Sequence, residues 1–432
     1  MSLTELGILY GAVLLGCLVG GVYIGVAMGL AGVAGITALF GTALWPSLAD
    51  VVWNNATSFS LIAIPLFILM GELILQGGIA NRFYAGLAPW FRKVPGGLAQ
   101  TNIAGCAVFS AVCGSSVATV LTIGSIAMKE MRQRGYKDSL TLGTLAAGGG
   151  LGILIPPSIP MIVYASITNV SIIQLFMAGI VPGILLAILF SIFVGIRAKL
   201  DPSLVPVYEE DGGLERGNLL RDALPVMLLV GSVILSMYAG IVTPTEAAAL
   251  GALLAGVISW FYGGLTAASI RASLSNAAIS SAVIMFITIC AQILQYGLVV
   301  TGFGKQIAEI VVAMNIGPLV FFCILLLIYL VVGMFMDGLS VMLVTVPLVY
   351  APMMAMGFDG IWLGILLIFV IELSAITPPV GLNLFALQSI SPETPLARIA
   401  WSSAPYCAII LGFAFLCYAF PQIVLWLPQT MR

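Results

Sequence analysis

The chain has 432 residues, 61% of them hydrophobic and 7% charged, with a net charge of -2 and a mean hydropathy of +1.17. No soluble core accounts for that balance, and backbone groups in hydrocarbon must pair internally, so the chain has to span a membrane as helices or as a closed barrel. Its apolar runs of about 20 residues do not alternate, which selects helices. Histidine is absent, which removes the commonest general base and zinc ligand. The seven cysteines lie in apolar segments without metal or disulfide spacing and read as small buried hydrophobes. No basic segment or cleavage site marks a removable signal peptide.

In chain order, the first half (1–200) predicts spans near 5–22, 24–42 and 52–76. An apolar stretch broken by Gly114-Ser-Ser-Val-Ala comes next, with Arg92 and Lys93 before it and Lys129, Arg132, Arg134 and Lys137 after it. Cytoplasmic loops collect Lys and Arg, so both ends of 94–128 are expected on the cytoplasmic side. Two full spans of about 20 residues barely fit there; a re-entrant helical hairpin with its tip near Gly114–Ser116 fits better. A broken helix near 139–165, carrying Pro156-Pro157, and a span at 173–196 complete this half.

A cytoplasmic connecting loop is predicted at 201–217. The second half (218–432) repeats the scheme: spans near 223–240, 245–263 and 274–301, a hairpin at about 315–352, a broken helix at about 360–389 and a span at 400–427. The second hairpin is broken by Gly338-Leu-Ser-Val-Met, 224 residues after the first break, and the second broken helix carries Pro378-Pro379. Between Glu309 and Asp359 the only charge is Asp337, so nothing basic anchors this hairpin inside. All basic residues except Lys305 and Arg432 then fall on the cytoplasmic side, with both termini outside. The expected fold is an all-α integral membrane protein of two inverted-topology repeats, each with a re-entrant hairpin and a broken helix. Paired interrupted segments of this kind point to a secondary transporter's binding site.

Hairpin tips leave backbone groups without helical partners, which is tolerated where they line a cavity. Hydroxyls of Ser115, Ser116 and Thr119 offer uncharged hard oxygens of the kind a dehydrated sodium ion accepts. Each proline of the two pairs removes an N–H and displaces an earlier carbonyl. That makes Gly152, Ile155 and Pro156 candidate carbonyl ligands in the first half, and Ser374, Thr377 and Val380 in the second. No Lys or Arg lies in these segments, so half-helix N-termini are expected to hold a carboxylate. Ser116, Ser158, Ser340 and Asn383 are candidates to hydrogen-bond it. Kinking and packing explain any one such motif; four in matching positions favour function.

Four acidic residues are expected at membrane depth, where ionisable groups are functional candidates by default. Asp337 adjoins the second tip and is the candidate coupling acid. Glu246 follows Thr243-Pro-Thr and reads as a helix-start residue. Glu72 and Glu372 fit either a functional role or hydrogen bonding within the bundle.

At these residues the chain resembles the large membrane subunit of tripartite ATP-independent periplasmic (TRAP) transporters, over essentially its whole length. The resemblance rests on Gly152-Ile-Leu-Ile-Pro-Pro-Ser158, Thr243-Pro-Thr-Glu-Ala-Ala248, Phe335-Met-Asp-Gly338 and Thr377-Pro-Pro-Val-Gly-Leu-Asn383. It implies an ion-transporter-superfamily fold, with a scaffold of outer helices and a transport domain that moves like an elevator. It implies sodium-driven import of an organic acid, such as a C4-dicarboxylate or sialic acid, in a multi-pass chain of the bacterial inner membrane. It also implies two partners, a periplasmic solute-binding protein and a small four-helix membrane subunit, expected here as a separate chain. Carried over by position, one sodium site would use Ser115, Ser116, Gly152, Ile155 and Pro156. The other would use Gly338, Ser374, Thr377 and Val380, and proton coupling stays open beside sodium. The alternative is a stand-alone sodium- or proton-coupled dicarboxylate symporter. An enzyme is not expected: there is no His-Glu-x-x-His motif, no Gly-x-Ser-x-Gly elbow and no paired membrane aspartates. Nothing in the charge pattern suits nucleic acid, and the surrounding partner is membrane lipid.

Overall fold

The structure, a computed structural model, describes residues 2–206, 218–314 and 316–431. Residues 207–217, most of the expected connecting loop, lie outside them, as do Asn315 at the start of the expected second hairpin and the terminal Arg432. The described elements are all helices. Among the described residues, eight helical stretches are long and apolar enough to cross a membrane, including Ile172–Leu200, Ala267–Val300 and Leu396–Ala419.

At the centre lie Asp138–Leu154 and Gly360–Ala375. Every residue from Leu140 to Leu154 is buried, and every one from Trp362 to Ser374. A helix apolar all round belongs in a core, and these two pack on each other. Both end at a proline pair with a cis peptide bond, Pro156-Pro157 and Pro378-Pro379. The chain resumes as Ile159–Thr168 and Leu382–Ile390, because a proline offers no N–H to continue the helix.

Two helix pairs flank this centre. Leu98–Cys113 and Ser116–Gln133 meet at Gly114, whose positive φ of 60° reverses the chain at little steric cost. Pro318–Gly333 and Gly338–Ala355 meet at 334–337. The packing crosses over: Ser116–Gln133 touches Leu382–Ile390, while Gly338–Ala355 touches Ile159–Thr168. Each pair therefore packs on the helix that follows the break of the other half.

Outer helices surround the centre. Ile24–Phe40 and Ala63–Gln76 both pack on the long Ala267–Val300, and Pro244–Tyr262 packs on Ala63–Gln76. Gly32 makes one close approach possible, since a Cβ there would stand 2.6 Å from the Ile293 carbonyl; small residues serve this end in membranes. Trp260, Phe261 and Val299 leave large apolar surface exposed on these helices, as lipid contact requires.

Some boundaries differ from the sequence reading. The expected span 52–76 is divided into Trp45–Ala56, a short 3-10 turn Phe59–Ile62 and Ala63–Gln76. The last span closes at Ala419, and Gln422–Gln429 follows Pro421 as a separate helix. Ile79–Phe91 and Phe303–Ala313 are additional helices, too short to cross a membrane and so invisible to a search for spans. The first pair starts at Leu98 rather than 94 because Gly96 and Gly97, both at positive φ, form a turn there.

Candidate functional site

The two tips and the two breaks enclose one cavity of about 180 Å³. Gly114, Ser115 and Ser116 form one edge, and Asp337, Gly338 and Leu339 the edge opposite. Ile153, Ile159 and Pro160 line it from the first broken helix, and Ile371, Ala375 and Leu382 from the second. Ile284 of Ala267–Val300 completes the wall from the outer layer.

Most of this wall is apolar; its chemistry comes from helix ends. Four helices begin at the cavity, at Ser116, Ile159, Gly338 and Leu382. An N-terminus presents unpaired N–H groups and partial positive charge. Two are capped by side chains: Ser115 Oγ accepts from the Ala118 amide at 3.4 Å, and Asp337 Oδ2 from the Ser340 amide at 3.0 Å. The helices starting at Ile159 and Leu382 have no side-chain cap, and in the first of them Pro160 contributes no N–H. Three helices also end here, near Gly114, Ile153 and Ala375, and their last carbonyls carry partial negative charge. No Lys or Arg is among the lining residues.

The first expected ligand set converges in part. A Cβ on Gly152 would stand 3.0 Å from the Ser115 carbonyl oxygen, and one on Gly114 would stand 3.2 Å from that of Pro157. Tip and break are thus in backbone contact. Ser115 and Ser116 line the cavity, whereas Gly152, Ile155 and Pro156 stand behind its wall.

In the second set, Gly338 lies on the wall and packs against Ile371. Ser374 is buried against Gly333, its hydroxyl donating to the Ile371 carbonyl at 2.8 Å. The Thr377 hydroxyl donates to the Leu373 carbonyl at 2.5 Å, and the residue borders a separate cavity with Trp401 and Cys407. Neither Thr377 nor Val380 lines the central cavity.

Among the candidate substrate contacts, Ser116 alone lines the cavity. The Ser158 hydroxyl donates to the Ile153 carbonyl at 2.6 Å, and that of Ser340 donates to Asp337. Asn383 is fully buried and neither its amide oxygen nor its nitrogen has a partner; it follows Leu382 of the wall. Asp337 both lines the cavity and caps Gly338–Ala355. Glu246 forms a capping box with Thr243, the helix-start role its sequence suggests. Glu72 accepts from Asn276 Nδ2 at 3.0 Å.

The apolar wall residues and Ile284 escaped sequence reading, since one isoleucine among many carries no signal. The same holds for two scaffold contacts to the first broken helix. Gln292 Nε2 donates to the Ser166 carbonyl at 3.2 Å, and Gln295 Nε2 to that of Ile167 at 3.0 Å. Polar residues in an otherwise apolar span were the available clue there.

Broken helices and paired tips around one cavity, inside a shell of membrane-length helices, define a multi-pass membrane transporter. Solved transporters share the fold: the Alcanivorax borkumensis YdaH transporter, at a TM-score of 0.63 and 13% identity, covers 89% of this chain and 90% of its own. Neisseria gonorrhoeae MtrF aligns at 0.60 and 12%, covering 91% and 85%. The sequence is more specific. Residues 12–423 match the family described as tripartite ATP-independent periplasmic transporter, DctM component, and the chain belongs to that family. The C4-dicarboxylate TRAP transporter large permease protein DctM of Vibrio cholerae is 32% identical, over 96% of each chain. Its namesake in Pseudomonas aeruginosa is 33% identical over 89% of this chain and 90% of that one. The ectoine/5-hydroxyectoine large permease UehC of Ruegeria pomeroyi is 31% identical over 85% and 86%. These relatives are transporter permeases, and this chain is a transporter subunit rather than an enzyme.

Proposed function

We propose that this chain imports an organic anion, with a C4-dicarboxylate the first candidate, using a sodium gradient across the bacterial inner membrane. The carrying observation is the convergence of four helix N-termini and three helix C-termini on one cavity without a basic side chain. The amides suit a carboxylate. The carbonyl ends, with Ser115 and Ser116, suit sodium as co-substrate. Relatives named for C4-dicarboxylates and for ectoine have a carboxylate in common among their ligands, which supports the class.

On this reading the two halves, 1–200 and 218–432, are inverted-topology repeats. Their hairpins and broken helices form a transport domain that slides within the outer helices. A periplasmic binding protein delivers substrate, and a small membrane subunit braces the scaffold. Two experiments test the reading. Proteoliposomes holding the chain with both partners should accumulate labelled succinate under an inward sodium gradient; accumulation without a cation gradient, or none of any dicarboxylate, refutes the proposal. Thermal unfolding of the purified chain in NaCl against choline chloride should show a saturable sodium-specific rise. Binding to the folded state alone stabilises by about 2.7 kcal/mol at a hundred times the dissociation constant.

A further inference from the structure

Gln292 and Gln295 are the two amide side chains in the apolar second half of Ala267–Val300. Three residues apart, they share a face of that helix. Each sends its Nε2 into the last turn of Ile159–Thr168, Gln292 to the Ser166 carbonyl at 3.2 Å and Gln295 to that of Ile167 at 3.0 Å. The turn is open to them because Asn169 follows with a left-handed φ of 58° and ends the helix. The last carbonyls of a helix have no partner within it. At the other end of the same helix, Ile159 and Pro160 belong to the cavity wall. One short helix, about 15 Å long at 1.5 Å per residue, thus joins the cavity to the outer layer.

Other hydrogen bonds of that layer stay inside it. Ser259 Oγ donates to the Leu73 carbonyl at 2.9 Å, Ser273 Oγ to the Glu72 carbonyl at 3.2 Å, and Asn276 Nδ2 to Glu72 Oε2 at 3.0 Å. Ala267–Val300 also packs on Gly338–Ala355, but there Leu294 and Leu298 face Leu348, Val349 and Pro352 around a cavity of about 370 Å³. Apolar burial has no direction, so a helix shifts along such a contact at small loss. A hydrogen bond does have one, and it is gone once donor and acceptor part beyond about 3.5 Å. A slide of one helical turn, about 5.4 Å, breaks both glutamine bonds together. The grip is also weak. The Gln295 amide oxygen is buried without a partner, and an unpaired buried acceptor takes back much of what a bond contributes.

We propose that Gln292 and Gln295 form a latch, which holds the transport domain to the outer helices in this conformation and sets how often it leaves. The inference rests on the reading in which that domain slides. The latch sits on the same short helix as two wall residues, so opening it frees that edge of the cavity to move as well.

Pulsed electron paramagnetic resonance on the full chain in lipid nanodiscs tests it without a substrate. Nitroxide labels go on Tyr23→Cys, at the start of Ile24–Phe40, and on Ala355→Cys, at the end of Gly338–Ala355; both positions are exposed. Cys17, Cys323 and Cys407, which are not fully buried, are first replaced by alanine. Two distance populations are expected, one of them the distance of this structure. The double variant Gln292→Met, Gln295→Met keeps side-chain length and removes both donors. In it the ratio of the other population to this one should rise about tenfold, as two interhelical bonds imply. Each single variant should raise it about threefold, which keeps the test open if the double variant does not fold. Unchanged ratios in folded variants overturn the latch and leave the sliding reading in place. A lowered unfolding temperature with unchanged distances makes the glutamines a brace and overturns it equally. A single distance in the unsubstituted and substituted chains alike overturns the sliding reading and the latch with it.

Discussion

At the first tip a serine, Ser115, caps the helix that opens the cavity; at the second an aspartate, Asp337, has the same task. Behind the first tip the broken helix shows Gly150 and Gly152; behind the second, the corresponding places hold Glu372 and Ser374. Both sides have helix ends at the cavity and a cis proline pair, and each tip packs against the broken helix of its own half. The side chains are not alike, and the acidic ones are on the second side. Backbone dipoles therefore define the cavity, while ionisable chemistry belongs to one half of it.

The largest effect should come from filling the space the halves share. Ser116→Phe places a ring in a cavity of about 180 Å³ and takes up space a dicarboxylate would need. Succinate uptake should be lost while unfolding temperature and elution profile are kept. Normal uptake would show that the cavity is not the substrate path.

Gly150 against Glu372 sharpens the contrast between the halves. Gly150→Ala drives a methyl into the carboxyl, and overpacking of this kind costs about 1–3 kcal/mol. Glu372→Ala vacates that space, so the double variant should recover part of the loss. A coupling of about 0.5–3 kcal/mol is expected for residues in contact; additive effects on unfolding temperature would disprove the fit.

Sequence reading reached the helical membrane class, the tips and the breaks, because glycine, serine and proline stand out in apolar sequence for backbone reasons. It stopped where the physics is tertiary. Thr377 sits in a legible motif, yet its hydroxyl turns to the Leu373 carbonyl and the residue borders another cavity. Glu372 was visible as an acid at depth, but its lack of a partner depends on what Asp138–Leu154 brings opposite. Ile79–Phe91 is amphipathic and short, with Arg82 bonded to the Tyr262 carbonyl and paired with Asp222 at 3.5 Å, and a span search passes over it.

The two caps give a smaller, matched test. Ser115→Ala and Asp337→Ala each remove an N-cap, worth about 0.5–2 kcal/mol, so both should lower the unfolding temperature by similar amounts. Asp337→Asn keeps the cap and removes the charge. If Asp337 is the coupling acid, uptake by the Asn variant loses its dependence on pH; if it serves only as a cap, the profile keeps its wild-type shape.

The smallest effect concerns a tie between the halves at the far end of the first helix pair. Arg132, on Ser116–Gln133, bonds Glu393 and also donates to Ser391 Oγ at 2.7 Å, just beyond Leu382–Ile390. A bond from its own backbone amide, then those from Arg132 and Ser391, hold the Glu393 carboxyl below the usual range. A carboxyl so lowered adds stability that is complete above its unfolded value, about 4.3, and is lost as pH falls through the folded one. The loss therefore belongs to the acid side of about pH 4.3, and Glu393→Gln should flatten that part of the unfolding profile. Because the carboxylate is solvent-exposed, the contribution should be small and should shrink with added salt. A salt-independent drop of several degrees would instead mean that the halves are held together here by more than an exposed ion pair.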